Sequence, residues 1–199
     1  MKKTIAIAAL LMLFAGAFCA KAQNDFSFGV KGGIAGNWLP GTTIEPDDRV
    51  SANFGFYGGV TGALDFSYNI MMQAELMYSR KGVNTTGALY GNKYERRLHY
   101  LQLPVMVVVK LADENLRLMA GPELNYCLGT KVYQDAIFDP TSAVDYNRFG
   151  CGLVIQASYL VAGGLGVDFK VDYGLTKALK EDDGRILSLQ LGLSYTFGL

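Results

Sequence analysis

Hydrophobic and polar residues alternate in eight separate runs after residue 23 of the chain. Period-two alternation is typical of a β-strand with two unlike faces. The runs show no i, i+3, i+4 apolar stripe, and glycines inside them would weaken a helix by about 1 kcal/mol each. The sequence therefore predicts eight strands. They cover residues 26–35, 54–66, 72–79, 101–110, 116–126, 148–158, 165–173 and 187–197.

The links between these strands alternate in length. Short links are expected at 67–69, 111–115 and 160–163, and long links at 38–52, 82–97, 129–145 and 176–184. Short turns at one end and long loops at the other are the pattern of an outer-membrane barrel. Aromatic residues gather at both predicted ends of the strands, as in the two girdles of such barrels. We therefore predict an all-β fold, a transmembrane eight-stranded antiparallel up-and-down β-barrel.

The first 22 residues have the features of a secretory signal peptide. Lys2 and Lys3 precede an apolar run, and Ala20-Lys21-Ala22 has the small-x-small pattern of a cleavage site. The run is shorter than the roughly 20 residues that a membrane-spanning helix needs. We therefore divide the chain into a cleaved signal peptide at 1–22 and one outer-membrane β-barrel domain at 23–199.

Two strand faces alone do not say which face is inside. A secretory signal, aromatic strand ends and a polar face rich in small residues favour lipid outside and a polar lumen. The interior of an eight-stranded barrel is just filled by side chains, and charges there should pair. We favour a closed, salt-bridged plug over a narrow ion path. The charged lumen face is predicted to hold Lys31, Asp65, Glu75, Lys110, Arg117, Glu123, Arg148, Asp168, Lys170 and Asp172.

Two prolines bear on the regularity of the strands, and two cysteines raise the question of a disulfide. Pro104 and Pro122 each remove a hydrogen-bond donor from a strand, so we expect a bulge or local irregularity at both. Cys127 and Cys151 flank the third long link. Alternation places Cys127 on the lumen face and Cys151 on the lipid face, which argues against a disulfide between them.

Composition narrows the chemistry. Basic and acidic residues are equal in number, 18 of each, so nothing suggests a nucleic-acid partner. One histidine and three cysteines leave little material for a metal cluster, and no cofactor is expected. His99 with Ser79 and Glu95 could be imagined as the catalytic group of a lipid-modifying enzyme. No nucleophile motif surrounds His99, and we interpret it as an interfacial side chain on the outward face.

Basic residues precede the fourth strand, at the predicted outer leaflet. Arg96 and Arg97 are candidates for contact with the phosphates of lipopolysaccharide, because arginine binds phosphate in bidentate geometry. An equally good interpretation is that these two residues are solvent-exposed charges where a loop joins the strand.

Several short motifs resemble those of PorT-like outer-membrane β-barrel domains, in their order and over nearly all of the mature chain. They are Tyr78-Ser79-Arg80-Lys81-Gly82, Tyr100-Leu101-Gln102-Leu103-Pro104 with the following Lys110, Gly121-Pro122, Tyr173-Gly174-Leu175-Thr176 and the final strand ending in Tyr195-Thr196-Phe197. The resemblance implies a barrel without catalytic residues, and for a few family members it implies a part in exporting proteins across the outer membrane.

The sequence thus favours a small non-enzymatic barrel in the cell outer membrane that presents surface loops and scaffolds envelope partners. The alternatives are a component of a protein-secretion system, a narrow solute channel and, least favoured, a lipid-modifying enzyme. The expected partners are outer-membrane lipid and lipopolysaccharide, the barrel-assembly machinery during insertion, and envelope or secretion proteins.

Overall fold

The computed structural model describes residues 26–38, 49–86, 93–111, 115–134, 137–138, 147–177 and 185–197. The predicted signal peptide at 1–22 lies outside these residues. Eight long strands and one two-residue strand form a single antiparallel sheet. The strands are β1 (Phe26–Trp38), β2 (Arg49–Ser67), β3 (Ile70–Thr86), β4 (Lys93–Leu111), β5 (Leu116–Gln134), β6 (Ile137–Phe138), β7 (Phe149–Ala162), β8 (Leu165–Gly174) and β9 (Leu187–Phe197).

The eight long strands close into a ring. Each pairs with its neighbours along the chain, β1 also pairs with β9, and β5 pairs with β7. The pairing of β4 with β5 joins the two ends of the sheet. The short β6 continues from β5 and pairs only with its last two residues. Closure satisfies backbone groups that an open sheet edge would expose to lipid.

The face that points outward is the apolar one. In β8, Phe169 is 50% exposed, whereas the next residue, Lys170, is 1% exposed. The same alternation runs along β7 and β9, whose exposed positions carry residues such as Ile155 and Leu191. A water-soluble barrel would have the reverse arrangement, so this wall is built to face hydrocarbon. No helix in the described parts of the chain is long and apolar enough to cross a bilayer.

The short links gather at one end of the barrel, which we call the turn end; the opposite end is the loop end. At the turn end only Gly163 and Gly164 separate β7 from β8, and both have positive φ, 54° and 84°. Positive φ at both central residues is what a tight two-residue hairpin of matching twist requires. Glycine takes this conformation without steric cost.

The strands extend further at the loop end than the hydrophobic pattern predicts. Residues 82–97 were expected to form a long link, yet β3 runs to Thr86 and β4 begins at Lys93. Likewise β5 continues to Gln134, beyond the expected end at 126. The extensions contain β-branched and aromatic residues that favour strands, but they lack strict alternation. Outside a bilayer there is no need for one apolar and one polar face, so the periodic signal ends before the strand does.

The structure shows the local irregularity expected at the two prolines but no bulge. Pro104 lacks a paired position in β3 and Pro122 lacks one in β4, without a shift of register. The register between β3 and β4 is the same on both sides of Pro104, at Ala74↔Val105 and Met77↔Gln102. Pro122 pairs in regular register with Leu153 of β7. A missing donor therefore interrupts bonding without displacing either strand. The register shift in this part of the wall lies instead between His99 and Tyr100 of β4, opposite residues 127–129 of β5.

Candidate functional site

The middle of the lumen is occupied by a network of charged and amide side chains. Lys31 Nζ lies 2.5 Å from Glu75 Oε1 and donates to Gln156 Oε1 at 2.9 Å. The other Glu75 oxygen is 3.4 Å from Lys170 Nζ. Lys170 Nζ is also 3.9 Å from Glu123 Oε2. All of these side chains are nearly inaccessible to solvent, so the network fills the space between the walls.

The network continues toward the loop end through an aspartate. Asp172 forms an ion pair with Lys81, and its Oδ2 accepts a hydrogen bond from Gln102 Nε2 at 3.1 Å. The same Gln102 nitrogen is also 2.6 Å from Glu123 Oε1 and 3.0 Å from Asn125 Oδ1, so its two hydrogens are shared among three acceptors. Gln102 thereby connects the central and outer groups of the network.

Charges in this interior balance. The buried ionisable residues of the described chain, tyrosine and cysteine aside, are four cations, Lys31, Lys81, Arg117 and Lys170, and four anions, Glu75, Glu123, Asp168 and Asp172. An unpaired charge in a low-dielectric interior is costly, and near neutrality of the whole set avoids that cost.

Four residues predicted for the lumen face lie outside the central network, namely Asp65, Lys110, Arg117 and Arg148. Asp65 and Lys110 form an ion pair of 2.7 Å at the turn end, where both side chains keep some exposure. Arg117 is buried near this end and is the register partner of Lys110. Arg148 is exposed and precedes β7, so it is not one of the buried lumen residues. The prediction for Arg148 is therefore wrong, because the strand alternation used to place it begins one residue later.

Lys81 is the lumen residue that the sequence interpretation missed. It lies two residues beyond the predicted end of the third strand at 79, but β3 continues through it. It has the same parity as Gln73, Glu75 and Ser79, which the pattern placed on the lumen face. Extending that alternation by one step would have found it.

A cluster of apolar side chains fills the turn-end half of the lumen. Methionines dominate it, and its smaller members are alanine and valine. The cluster comprises Ala63, Met71, Met106, Val108, Met119 and Val154. Met106 and Val108 have no measurable exposure. Flexible methionine side chains suit an irregular space of this kind. The cluster separates the central ion pairs from the Asp65–Lys110 pair at the turn end.

An open pocket lies above the network at the loop end. Its empty volume is about 390 Å³, which includes solvent at its mouth. Lys81 and Asp172 form part of its floor, with Tyr100 and Asn125 beside them. In the described residues, no group of histidine, cysteine, aspartate and glutamate side chains is arranged to hold a metal ion.

The residues considered for catalysis do not meet. Ser79 is fully buried in the lumen, whereas His99 lies on the outward face, where its Nδ1 is 2.6 Å from the Tyr78 hydroxyl. The side chain of Glu95 is outside the described ones. Cys127 and Cys151 are both free, the first buried and the second exposed.

The two arginines predicted to contact lipopolysaccharide are adjacent in β4. Arg97 pairs with Gly82 of β3 and is partly exposed. Arg96 pairs with Val83, and its side chain is outside the described ones. Because successive strand positions belong to opposite faces, positions 96 and 97 do not form one surface.

Comparison with known proteins agrees with this architecture. The chain is similar to Neisserial surface protein A, with 14% identity over 86% of this chain and 98% of that one, and a TM-score of 0.56. It is also similar to the outer membrane protein OprG from Pseudomonas aeruginosa, with 13% identity, coverage of 88% and 98%, and a TM-score of 0.53. At these identities the likeness concerns the fold. No curated protein matches the chain by sequence.

A family model gives the clearest assignment. Residues 21–180 match the model described as "Outer membrane protein beta-barrel domain". This match covers most of the chain and agrees with the apolar outer wall and polar interior. The chain is thus a member of the outer membrane protein β-barrel domain family, and its place is the cell outer membrane.

Proposed function

We propose that this protein is a non-enzymatic, non-conducting outer-membrane barrel that presents its loop-end strands and loops at the cell surface and scaffolds envelope partners. The observation that carries the proposal is the network of ion pairs between opposite walls of the lumen. Lys170 of β8 and Lys81 of β3 each reach a carboxylate on the far side of the ring. A solute would have to break several buried pairs to pass them, and below them it would meet the apolar cluster.

Conductance of the purified full-length protein in a planar lipid bilayer tests this proposal. We expect no steady channel openings, because the filled lumen offers no continuous water path. A known open porin, inserted in the same membrane, is the positive control. Large, steady conductance proportional to the amount inserted would overturn the proposal in favour of the narrow solute channel.

The separation of Ser79 from His99 supports the non-enzymatic part of the proposal. A serine nucleophile needs its base within hydrogen-bond reach, and these two residues are on opposite faces of the wall. Lipid hydrolysis or acyl transfer by the purified protein that disappears in His99→Ala would contradict this interpretation.

A role in protein secretion is the second candidate. The observation in its favour is that residues from three separate PorT-like motifs meet at the loop-end pocket. Lys81, Tyr100 and the pair Gly174 and Thr176 all line it, although they come from different parts of the chain. A strain that lacks the protein separates the two candidates. Loss of cargo protein from the medium with unchanged vancomycin sensitivity would favour secretion, and normal secretion with a leaky envelope would favour the scaffold.

A further inference from the structure

Two arginines stand on the outward face of β3 and β4, one step beyond the aromatic residues of the loop end. Phe56 and Tyr78 are exposed members of this aromatic belt. Arg80 follows Tyr78 by two positions on the same face of β3, and Arg97 lies on the outward face of β4. Interfacial aromatic rings mark the height at which hydrocarbon gives way to headgroups. The two arginines are therefore at headgroup height.

Both arginines belong to one surface. Arg80 is the direct cross-strand partner of His99, and Arg97 is two residues from His99 along β4. Such a diagonal pair has an inter-residue separation of about 7–8 Å, within reach of long side chains. Long side chains from two positions at this separation can bring both guanidinium groups to the same phosphate group.

Aromatic contacts hold this surface in place. The guanidinium carbon of Arg80 is 5.7 Å from the centre of the Phe56 ring. The ring of His99 lies 6.0 Å from that of Tyr78, and the 2.6 Å hydrogen bond between them fixes its orientation. Packing of this kind reduces the side-chain entropy that binding would otherwise cost. Arg80 thus has a partly preorganised position over an aromatic floor.

A phosphorylated lipid is the ligand that matches both parts of this surface. Arginine recognises phosphate through paired, charge-assisted hydrogen bonds. Immediately toward the membrane, the exposed side chains of Leu76, Leu101 and Leu124 offer apolar contacts for acyl chains. With short turns on the periplasmic side, the loop end of such a barrel faces outward. The phosphorylated lipid of that leaflet is lipopolysaccharide.

We propose that Arg80 and Arg97 bind a phosphate of lipopolysaccharide, on a floor formed by Phe56, Tyr78 and His99. The site rests on the outward orientation of the loop end and not on whether the lumen conducts. It replaces the expected Arg96–Arg97 pair, whose members belong to opposite faces of β4. Arg80, which lies one residue beyond the predicted end of the third strand, takes the place of Arg96.

Binding of purified full-length protein to lipid A in detergent, followed by native mass spectrometry, tests the site. We expect Arg80→Gln/Arg97→Gln to reduce the lipid-bound fraction at least fivefold. Arg148→Gln, which removes an exposed arginine outside the site, is the matched control and should bind as the unchanged protein does. Heat-modifiable gel mobility checks that each variant is folded. Unchanged binding by the folded double variant would overturn the proposal.

A second measurement uses only the unchanged protein and so does not depend on folding of the variants. Enzymatically dephosphorylated lipid A should bind at least fivefold more weakly than the phosphorylated form. Equal binding of the two forms would show that acyl chains alone are recognised and would also overturn the proposal. Millimolar inorganic phosphate should fail to displace lipid A, and full displacement would identify a site for free phosphate instead.

Discussion

Lys170 and Glu75 stand on strands four places apart in the eight-stranded ring, yet their charged atoms are 3.4 Å apart. Strands with this spacing are diametrically opposite, so the two side chains meet across the lumen. Lys31 joins them from a third strand through its own contact with Glu75. Ion pairs therefore connect opposite walls of the lumen, in addition to the hydrogen bonds between neighbouring strands.

Removal of the Glu75 charge should destabilise the barrel strongly. Glu75→Gln leaves Lys31 and Lys170 without their shared carboxylate, and loss of one partner in a buried ion pair costs about 3–5 kcal/mol. Urea unfolding of the protein in lipid vesicles, followed by tryptophan fluorescence, measures this loss. Asp65→Asn is the matched control, because its pair with Lys110 is partly exposed and should contribute about 1 kcal/mol or less. Similar losses of unfolding free energy for both variants would contradict a buried, water-free ion-pair network in the middle of the lumen.

Lys81 and Asp172 should show energetic coupling across the lumen. Lys81→Met and Asp172→Asn each leave the other partner buried and unpaired, and each should lower the free energy of unfolding by about 3–5 kcal/mol. The double variant removes both charges, so its loss should be smaller than the sum by about 1–3 kcal/mol. The same urea titrations on all four proteins complete the cycle. Strict additivity would mean that the ion pair seen here does not contribute to stability.

The alternation of apolar and polar residues predicted the eight-stranded ring, because the lipid bilayer imposes this alternation on the strands. Every outward position in the bilayer must be apolar, so residues such as Leu191 and Ile155 reveal the outer face directly from the sequence. The number of strands and the positions of most lumen charges follow from this constraint. The requirement for an apolar outward face ends at headgroup height. The sequence pattern therefore did not predict the loop-end extensions of β3, β4 and β5.

The interior was less predictable than the wall. Parity placed Met106 correctly on the lumen face, but alternation does not reveal that it packs with Met71 and Met119 from other strands. The contact between Lys81 and Asp172 likewise depends on which strands face each other across the ring. Such long-range neighbours follow from closure and register, which the sequence pattern does not contain.

The apolar cluster at the turn end should contribute to stability through tight packing. Met106→Ala removes a fully buried side chain, and large-to-small changes of this kind cost about 2–5 kcal/mol. Val107→Ala, at the next position, changes the lipid face, where an acyl chain can fill the space, and should cost about 1 kcal/mol or less. Unfolding in vesicles compares the two. A larger loss for Val107→Ala would mean that side chains on the lipid face contribute more to stability here than the apolar cluster in the lumen.

The two cysteines report independently which face is outside. In detergent micelles, a maleimide should label Cys151 of the folded protein within minutes and label Cys127 only after unfolding, because the first thiol is exposed and the second buried. In the mature chain, which lacks Cys19 of the predicted signal peptide, the variants Cys127→Ser and Cys151→Ser each keep one cysteine and assign each product by mass. Rapid labelling of Cys127 in the folded protein would place that side chain outside the closed lumen.

The depth dependence of charge on the outer wall tests the membrane position of the barrel. Leu191 lies midway along β9 on the exposed face, while Tyr195 belongs to the aromatic belt at the turn end. Leu191→Arg should lower the free energy of unfolding in lipid vesicles by about 2–4 kcal/mol, and Tyr195→Arg by about 0–1 kcal/mol, because the cost of a charge falls toward the interface. Both side chains are about half exposed, so burial within the protein predicts no such difference. Equal losses at the two positions would show that the bilayer does not cover the wall at the height of Leu191, and the apolar face would then need a protein partner in place of lipid.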